Sequence, residues 1–239
     1  MTTIDEMRFS PVGYAALLMA FRELGYEAHS FRDADPKSRH LILRHDVDFS
    51  LSAARVMAEQ EAELGVKSVY FVLLRTEFYN LHSAAGQSAL DRIGTCGHEV
   101  GLHIDASLYP VARAELEAAI AHECALLEAA IGRPVTTISF HRPAPEHFGD
   151  ADQWAGRLNA YGPRFVKNMG YCSDSRGAWH HGKPLDHPSV REGRALQLLL
   201  HPFWWQEPAL PPADRLRLFL AERGQFLDRE LAANCTVPR

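Results

Sequence analysis

Histidines, aspartates and arginines gather at the ends of short apolar runs in this chain. LIL at 41–43 is followed by Arg44, His45, Asp46 and Asp48, VGL at 100–102 by His103 and Asp105, and TISF at 137–140 by His141 and Arg142. LLL at 198–200 is followed by His201, and a weaker run around Tyr171 ends near Asp174. Alternation along an extended strand puts Asp46 and Asp48 on one face, about 6–7 Å apart, so one could bind a metal while the other works as a base. His103 would add a nitrogen ligand, and a mixed histidine and carboxylate set suits zinc or another first-row divalent ion. Such an ion lowers the pKa of bound water toward ~7 and polarises a carbonyl. Arg142 could pair with a carboxylate and hold it ionised, and His201 could protonate a leaving amine. The constellation points to metal-assisted hydrolysis.

The elements that must position these residues alternate along the chain. Strand-length apolar runs fall at Leu41 to Leu43, Val69 to Leu74, Val100 to Ile104, Val135 to Phe140, Phe165 to Tyr171 and Ala195 to Leu200. Helical patterns separate several of them: Ser52 to Leu64, Ser83 to Cys96, and Pro110 to Ile131, which has proline at its start and Gly132 at its stop. Tyr14, Leu17, Leu18 and Phe21 make an earlier amphipathic helix with Ser10 as N-cap and Pro11 at the first helical position, and the stretch after Pro211 reads as a last helix. Continuous apolar strands alternating with helices imply a mainly parallel sheet covered on both sides, hence α/β. In such folds, loops at the carboxyl ends of separate strands converge on one site.

Composition excludes other classes. The 239 residues are 46% apolar and 23% charged with a formal net charge of −5, which suits one globular domain and argues against nucleic acid as the main partner. No apolar run approaches a membrane span, and the opening stretch is acidic, so membrane insertion is not expected and the expected location is cytoplasmic. Cys96, Cys124, Cys172 and Cys235 show no metal or disulfide spacing and read as reduced thiols. Of the 13 histidines, His45 alternates away from Asp46 and reads as structural or as supporting the site rather than as a ligand, and His98 as bonding backbone or a neighbour. His180, His181 and His187 read as a solvated loop, while His29, His40, His82, His122 and His147 have no convergent partners.

In order along the chain, LRHDVD, GHEVGLHID, SFHRP, YCSDSRGAW and LLLHPFWW resemble the five motifs of the polysaccharide deacetylases, carbohydrate esterase family 4 or the NodB homology domain. More closely, the chain resembles a cytoplasmic, HDVD-type subgroup often associated with bacterial surface polysaccharide synthesis. The resemblance implies a distorted (β/α)7 barrel, NodB-like, as a single domain over 1–239 with an N-terminal helical segment, about 1–38, packed on it. It also implies Asp46 as base, Asp48 and His103 as metal ligands, Arg142 as the residue orienting the base, and His201 as acid, tuned by Asp174 and Trp179. Two departures stand out: Val47 separates aspartates that the family usually has adjacent, and Ser107 occupies the place of the family's second histidine. The third ligand would then be His141, with Asp105 as the alternative. Tyr79, Asn80, Asp105, Tyr109, Asp174, Trp179 and Trp204 are candidate substrate contacts.

The expected reaction is hydrolysis of an N-acetyl or similar N-acyl group from an amino sugar, a precursor in surface polysaccharide or glycoconjugate synthesis. The expected cofactor is a divalent metal, zinc first, with cobalt, nickel or manganese as alternatives, and the expected partner is a carbohydrate or small-molecule N-acyl substrate. Two rivals accompany it: an inactive barrel that binds a sugar or a partner, prompted by Ser107, and a metal-dependent hydrolase of a non-sugar amide.

Overall fold

The computed structural model describes residues 9–110, 112–180 and 182–235. The acidic opening stretch, Val111 of an expected helix and His181 of the histidine loop lie outside them. Ser10 caps α1 (Pro11–Glu23), its Oγ accepting from Gly13 N–H at 3.0 Å, and Tyr14, Leu17 and Phe21 are buried against the sheet. The chain continues through β1 (Glu27–Ala28), β2 (His40–Val47), α2 (Leu51–Glu63), β3 (Val69–Leu73), α3 (Ala84–Thr95), β4 (Glu99–Ile104), α4 (Arg113–Ile131) and β5 (Thr137–Phe140). A hairpin follows, β6 (Gln153–Trp154) and β7 (Arg157–Asn159), then α5 (Pro163–Val166), β8 (Gly170–Ser173), α6 (Pro188–Arg191), β9 (Leu196–Leu200) and α7 (Pro212–Asn234). Ser50 and Ser83 cap α2 and α3, and α4 stops at Gly132, whose φ of 66° needs no Cβ. The run read as a strand from Phe165 divides: Pro163 starts a helical turn through Val166, and extension begins only at Gly170.

The sheet runs β6-β7-β5-β4-β3-β2-β9-β8, parallel except for the β6–β7 pair, with β1 paired to the start of β2. Among the described residues no pairing joins β8 to the other end, so the expected distorted (β/α)7 barrel takes the form of an open, curled half-barrel. The curl is visible in contacts across it. β2 and β5 are three strand spacings apart, about 14 Å on a flat sheet, yet Arg44 donates directly to Ser139. Gln197 on β9 donates to the carbonyl of Ala160, just past β7, at 3.0 Å. Alternation and register put Arg44, Asp46, Phe71, Gly101, His103, Ser139, Gln197 and Leu199 on the concave face. Gly101 is required there, because a Cβ would lie 2.5 Å from the Phe71 ring.

On the convex face of β2, under α2, lies a second polar group. Glu61 is fully buried and its carboxylate accepts from Tyr14, from Ser68 Oγ at 2.6 Å and from Tyr70 Oη at 2.7 Å, with His45 Nε2 at 2.7 Å. His98 Nδ1 accepts from Ser68 N–H at 3.2 Å, which leaves its Nε2–H for the Ala58 carbonyl at 2.9 Å. His45 and His98 are thus structural, as their positions suggested. Cys124 and Cys172 are buried free thiols, while Cys96 is half-buried and Cys235 exposed. No helix among the described residues is long and apolar enough to cross a membrane.

Burial alone would raise the Glu61 pKa, but the histidines and hydroxyls around it bring it down from 4.5 to about 2. A depressed folded-state pKa contributes stability that is fully present above about 4.5 and is lost as pH falls toward 2. Glu61→Gln should therefore destabilise the fold by about 3 kcal/mol at pH 7. In denaturant titrations the gap between wild type and variant should narrow steadily from pH 5 to pH 2; a gap independent of pH would show that the charge of Glu61 does not matter.

Candidate metal centre

The carboxyl ends of β2, β4, β5 and β9 meet at the concave mouth of the sheet. His103 lies in β4 with its neighbour Ser139 in register on β5, and the Ser139 carbonyl is 3.1 Å from His103 Nδ1. That bond places the ring proton on Nδ1 and turns the Nε2 lone pair into the mouth. Asp48 Oδ1 lies 3.3 Å from His103 Nε2 and 3.3 Å from His141 Nδ1, and the two ring nitrogens are 3.2 Å apart. Asp48 Oδ1 is buried and has no hydrogen-bond partner among the described residues. Two nitrogens and a carboxylate oxygen therefore converge with too few protons between them, an arrangement a cation relieves. Their separations match the edges of a tetrahedron around an ion with ligand bonds of 2.0–2.1 Å, about 3.3–3.4 Å. Asp48, His103 and His141 thus form a triad suited to a divalent metal ion. Three protein donors leave a tetrahedral ion one further position, the pattern of catalytic rather than structural sites. Burial opposes the charge on Asp48, but the three histidines around it hold its carboxyl far below the usual range.

Asp46 sits beside the triad, its Oδ2 3.5 Å from His103 Nε2. The guanidinium that grips it belongs to Arg44, not to Arg142 as the motif order implied. Arg44 Nε donates to Oδ1 at 2.9 Å and its terminal nitrogen to Oδ2 at 2.8 Å. Arg44 is wholly buried, stacks on the Tyr161 ring with 4.2 Å to the centroid, and donates to Gln197 at 3.2 Å and to Ser139. The physical reason is strand alternation: two residues before Asp46, Arg44 points into the same concave face. Burial would raise the Asp46 pKa, but Arg44 and His103 bring it below the usual range. Arg142, 71% exposed, instead donates to Asp105, which also accepts from the backbone and hydroxyl of Ser107 at 3.1 and 2.6 Å. Asp105 and Ser107 therefore form a rim post, and neither reaches the triad.

Opposite Asp46, His201 Nδ1 is 2.6 Å from Asp174 Oδ1, and its Nε2 faces the mouth, 3.7 Å from Asp48 Oδ2. Asp174 is fully buried and also accepts from the backbone N–H of His201 at 3.0 Å and from Trp205 Nε1 at 2.7 Å. Burial pulls the His201 pKa down, but Asp174 and the other aspartates overcome it and raise it to about 9. The cleft above these groups has a volume of about 440 Å³, and Phe140, Pro143, Tyr161, Ser175, Arg176 and Leu199 complete its walls. Concavities of about 610 and 630 Å³ at the amino ends of the strands gather no metal-ligating set among the described residues.

Several expected substrate contacts lie outside the cleft lining. The Tyr79 hydroxyl accepts from Leu73 N–H at 2.8 Å and donates to the Val47 carbonyl at 2.7 Å, so it splices β2 to β3. Asn80 closes a turn with His82 N–H, and Tyr109 bonds Glu123 beneath Arg75. Trp204 packs on Phe203, and Trp179 on Phe9 and Trp205. These side chains pack apolar surface, satisfy backbone groups or, for Tyr109, bond a neighbouring carboxylate, which is the ordinary fate of an aromatic residue beside a strand end. Arg44, Ser139, Tyr161, Trp205 and Arg176 are the site residues that sequence reading passed over; the first shares the alternation that revealed Asp46 and Asp48.

No protein-family model and no curated relative matches the chain. Among solved structures, it is similar to a family 4 acetyl xylan esterase from Clostridium thermocellum in complex with a cobalt ion, at 18% identity and a TM-score of 0.41 over 77% of this chain and 84% of that one. It is also similar to the chitin deacetylase of Colletotrichum lindemuthianum, at 13% identity and 0.44 over 80% and 85%. A CE4 family pseudoenzyme from Bacillus anthracis is similar at 14% and 0.43 over 80% and 62%. At such low identity, what the chain does is read from its own side chains.

Purified chain loaded with zinc and dialysed should retain about one ion, measured by plasma emission. His103→Ala, His141→Ala and Asp48→Ala should each weaken binding by at least about 100-fold, whereas Ser107→Ala should bind as wild type does. Retention of the ion by His141→Ala would move the third ligand elsewhere.

Proposed function

We propose that the chain is a divalent-metal-dependent hydrolase that removes an N-acetyl or other small N-acyl group from an amino sugar, with zinc as the first choice of ion. The observation that carries this reading is the convergence of Asp48, His103 and His141 beside a buried carboxylate and a histidine paired to its own aspartate. The motif resemblance to the polysaccharide deacetylases supports the sugar amide as substrate and the place of such a step in surface polysaccharide or glycoconjugate synthesis.

A bound ion would supply Lewis acidity, polarising the acyl carbonyl and acidifying the attacking water. Asp46 would accept that water's proton on a carboxylate oxygen, and Arg44 keeps it ionised and fixes its plane at neutral pH. His201 would donate from Nε2 to the departing amine. Asp174 holds the proton on Nδ1 and stabilises the imidazolium, while Trp205 and the His201 backbone fix Asp174 in turn. Phe140, Pro143 and Leu199 present apolar wall to the acyl group and limit water at the cleft.

One observation favours a second reading. Both oxygens of Asp46 accept from Arg44, which weakens it as a base, and a chain that binds metal and sugar without turnover fits that grip. Acetate release from N-acetyl amino sugars separates the two. Asp46→Asn and His201→Ala should each lower the rate by about 10²–10⁴ with metal content unchanged. Unaltered turnover in either variant would remove that residue from the chemistry, and no release from metal-loaded wild type on any sugar tried would favour the binding module.

A further inference from the structure

The rim turn that follows Asp174 carries a cation for which the proposed hydrolysis has no use. Arg176 is exposed, lines the cleft with Asp46, Asp48 and His201, and forms no hydrogen bond, ion pair or ring contact among the described residues. Every carboxylate around the cleft is otherwise matched: Asp46 by Arg44, Asp174 by His201 and Asp105 by Arg142, while Asp48 faces the ion site. Arg176 is surplus positive charge at the mouth.

Its backbone sharpens the point. Arg176 has φ 59° and ψ 23°, a left-handed conformation that a Cβ disfavours. The other non-glycine residues with positive φ among those described are Ala155 and Arg142. Ala155 shares the two-residue turn of the β6–β7 hairpin with Gly156, where the turn geometry demands it. The remaining two are both arginines of this cleft. The turn under Arg176 is locked from several sides. Ser175 N–H donates to Ser173 Oγ at 3.1 Å and Gly177 N–H to the Asp174 carbonyl at 2.9 Å. Gly177, itself left-handed, abuts Pro212, whose Cγ would lie 2.6 Å from a Cβ at that position. An arginine of the cleft lining kept in such a conformation, exposed and with no partner among the described residues, is placed for a ligand rather than for packing.

We propose that the substrate is an anionic amino sugar, bearing a carboxylate or a phosphate ester, and that Arg176 receives that anionic group while the N-acyl end lies at the Asp48, His103 and His141 triad. This rests on the hydrolase reading for the acyl end only. A guanidinium fork matches either anion, and Arg142 stands on the same rim with donors beyond the one it gives Asp105.

The test is calorimetric binding of N-acetylglucosamine, N-acetylglucosamine 1-phosphate and N-acetylmuramic acid to wild type, Arg176→Gln and Arg176→Gly, with metal chelated and with zinc restored. The glycine variant suits the left-handed backbone and guards against a folding defect. At low salt at least one anionic sugar should bind wild type about tenfold tighter than the neutral one, with or without zinc. That advantage should shrink to about twofold or less in both variants. Preference for the phosphate or for the carboxylate then identifies which anion is recognised. Equal affinity of neutral and anionic sugars, no measurable binding of either anionic sugar, or an advantage that survives in both variants overturns the proposal. An Arg176-dependent preference without acyl release from any sugar leaves the anion subsite standing and overturns the hydrolase reading instead.

Discussion

A guanidinium without access to water must find its counter-charge inside the fold, and Arg44 sits at the middle of a curled sheet with Asp46 as that counter-charge. Removing either partner strands a buried charge, a loss of about 3–5 kcal/mol in comparable pairs. The pair also sets the shape of its surroundings. Arg44 reaches Gln197 on one neighbouring strand and Ser139 three strands away on the other side, and it lies flat on Tyr161. The carbonyl of that same Ser139 orients His103. The group that stabilises the concave interior is thus continuous with the group that turns a nitrogen lone pair toward Asp48.

β2 carries two polar networks on its two faces. Inward, Arg44 and Asp46 lead to Asp48 and the triad; outward, His45 meets Glu61 under α2. Glu61 draws donors from α1, β2 and β3 and the segment between α2 and β3, so it fixes how the helices seat on the strand whose end carries the chemistry. The Glu61 carboxylate and the Arg44–Asp46 pair are each held by several hydrogen bonds, and such multiply bonded buried groups specify one arrangement rather than several. On the far side of the mouth, Asp174 gives His201 equivalent support through Trp205 and the backbone. Among the described residues, the Arg176 side chain at the same mouth has no such support, since it makes no hydrogen bond or ion pair.

Much of the site was legible because strand ends announce themselves: apolar runs stop, and His103, His141, Asp48 and His201 begin. The triad follows from that pattern once His141 is taken in place of the histidine that the motif resemblance expects at Ser107. Arg44 was also within reach, since the two-residue period that paired Asp46 with Asp48 applies equally one step earlier, but a motif order pointed to Arg142 instead. Glu61 lies on the buried stripe of Ala54, Met57 and Ala58 along α2, so its burial follows from helical spacing, although other acids flank it in sequence. Whether the sheet closes was not legible, because closure depends on edge pairing between strands far apart in sequence. The roles of Tyr79 and Tyr109 were hidden for a related reason: a tyrosine hydroxyl that bonds local backbone or a neighbouring carboxylate looks in sequence like one that meets a substrate.

Diffraction at the zinc absorption edge from crystals of the zinc-loaded chain tests the central claim most directly. The account predicts one strong anomalous peak about 2.0–2.2 Å from Asp48 Oδ1, His103 Nε2 and His141 Nδ1. A peak coordinated by other residues, or none at this mouth with zinc in excess, would contradict it.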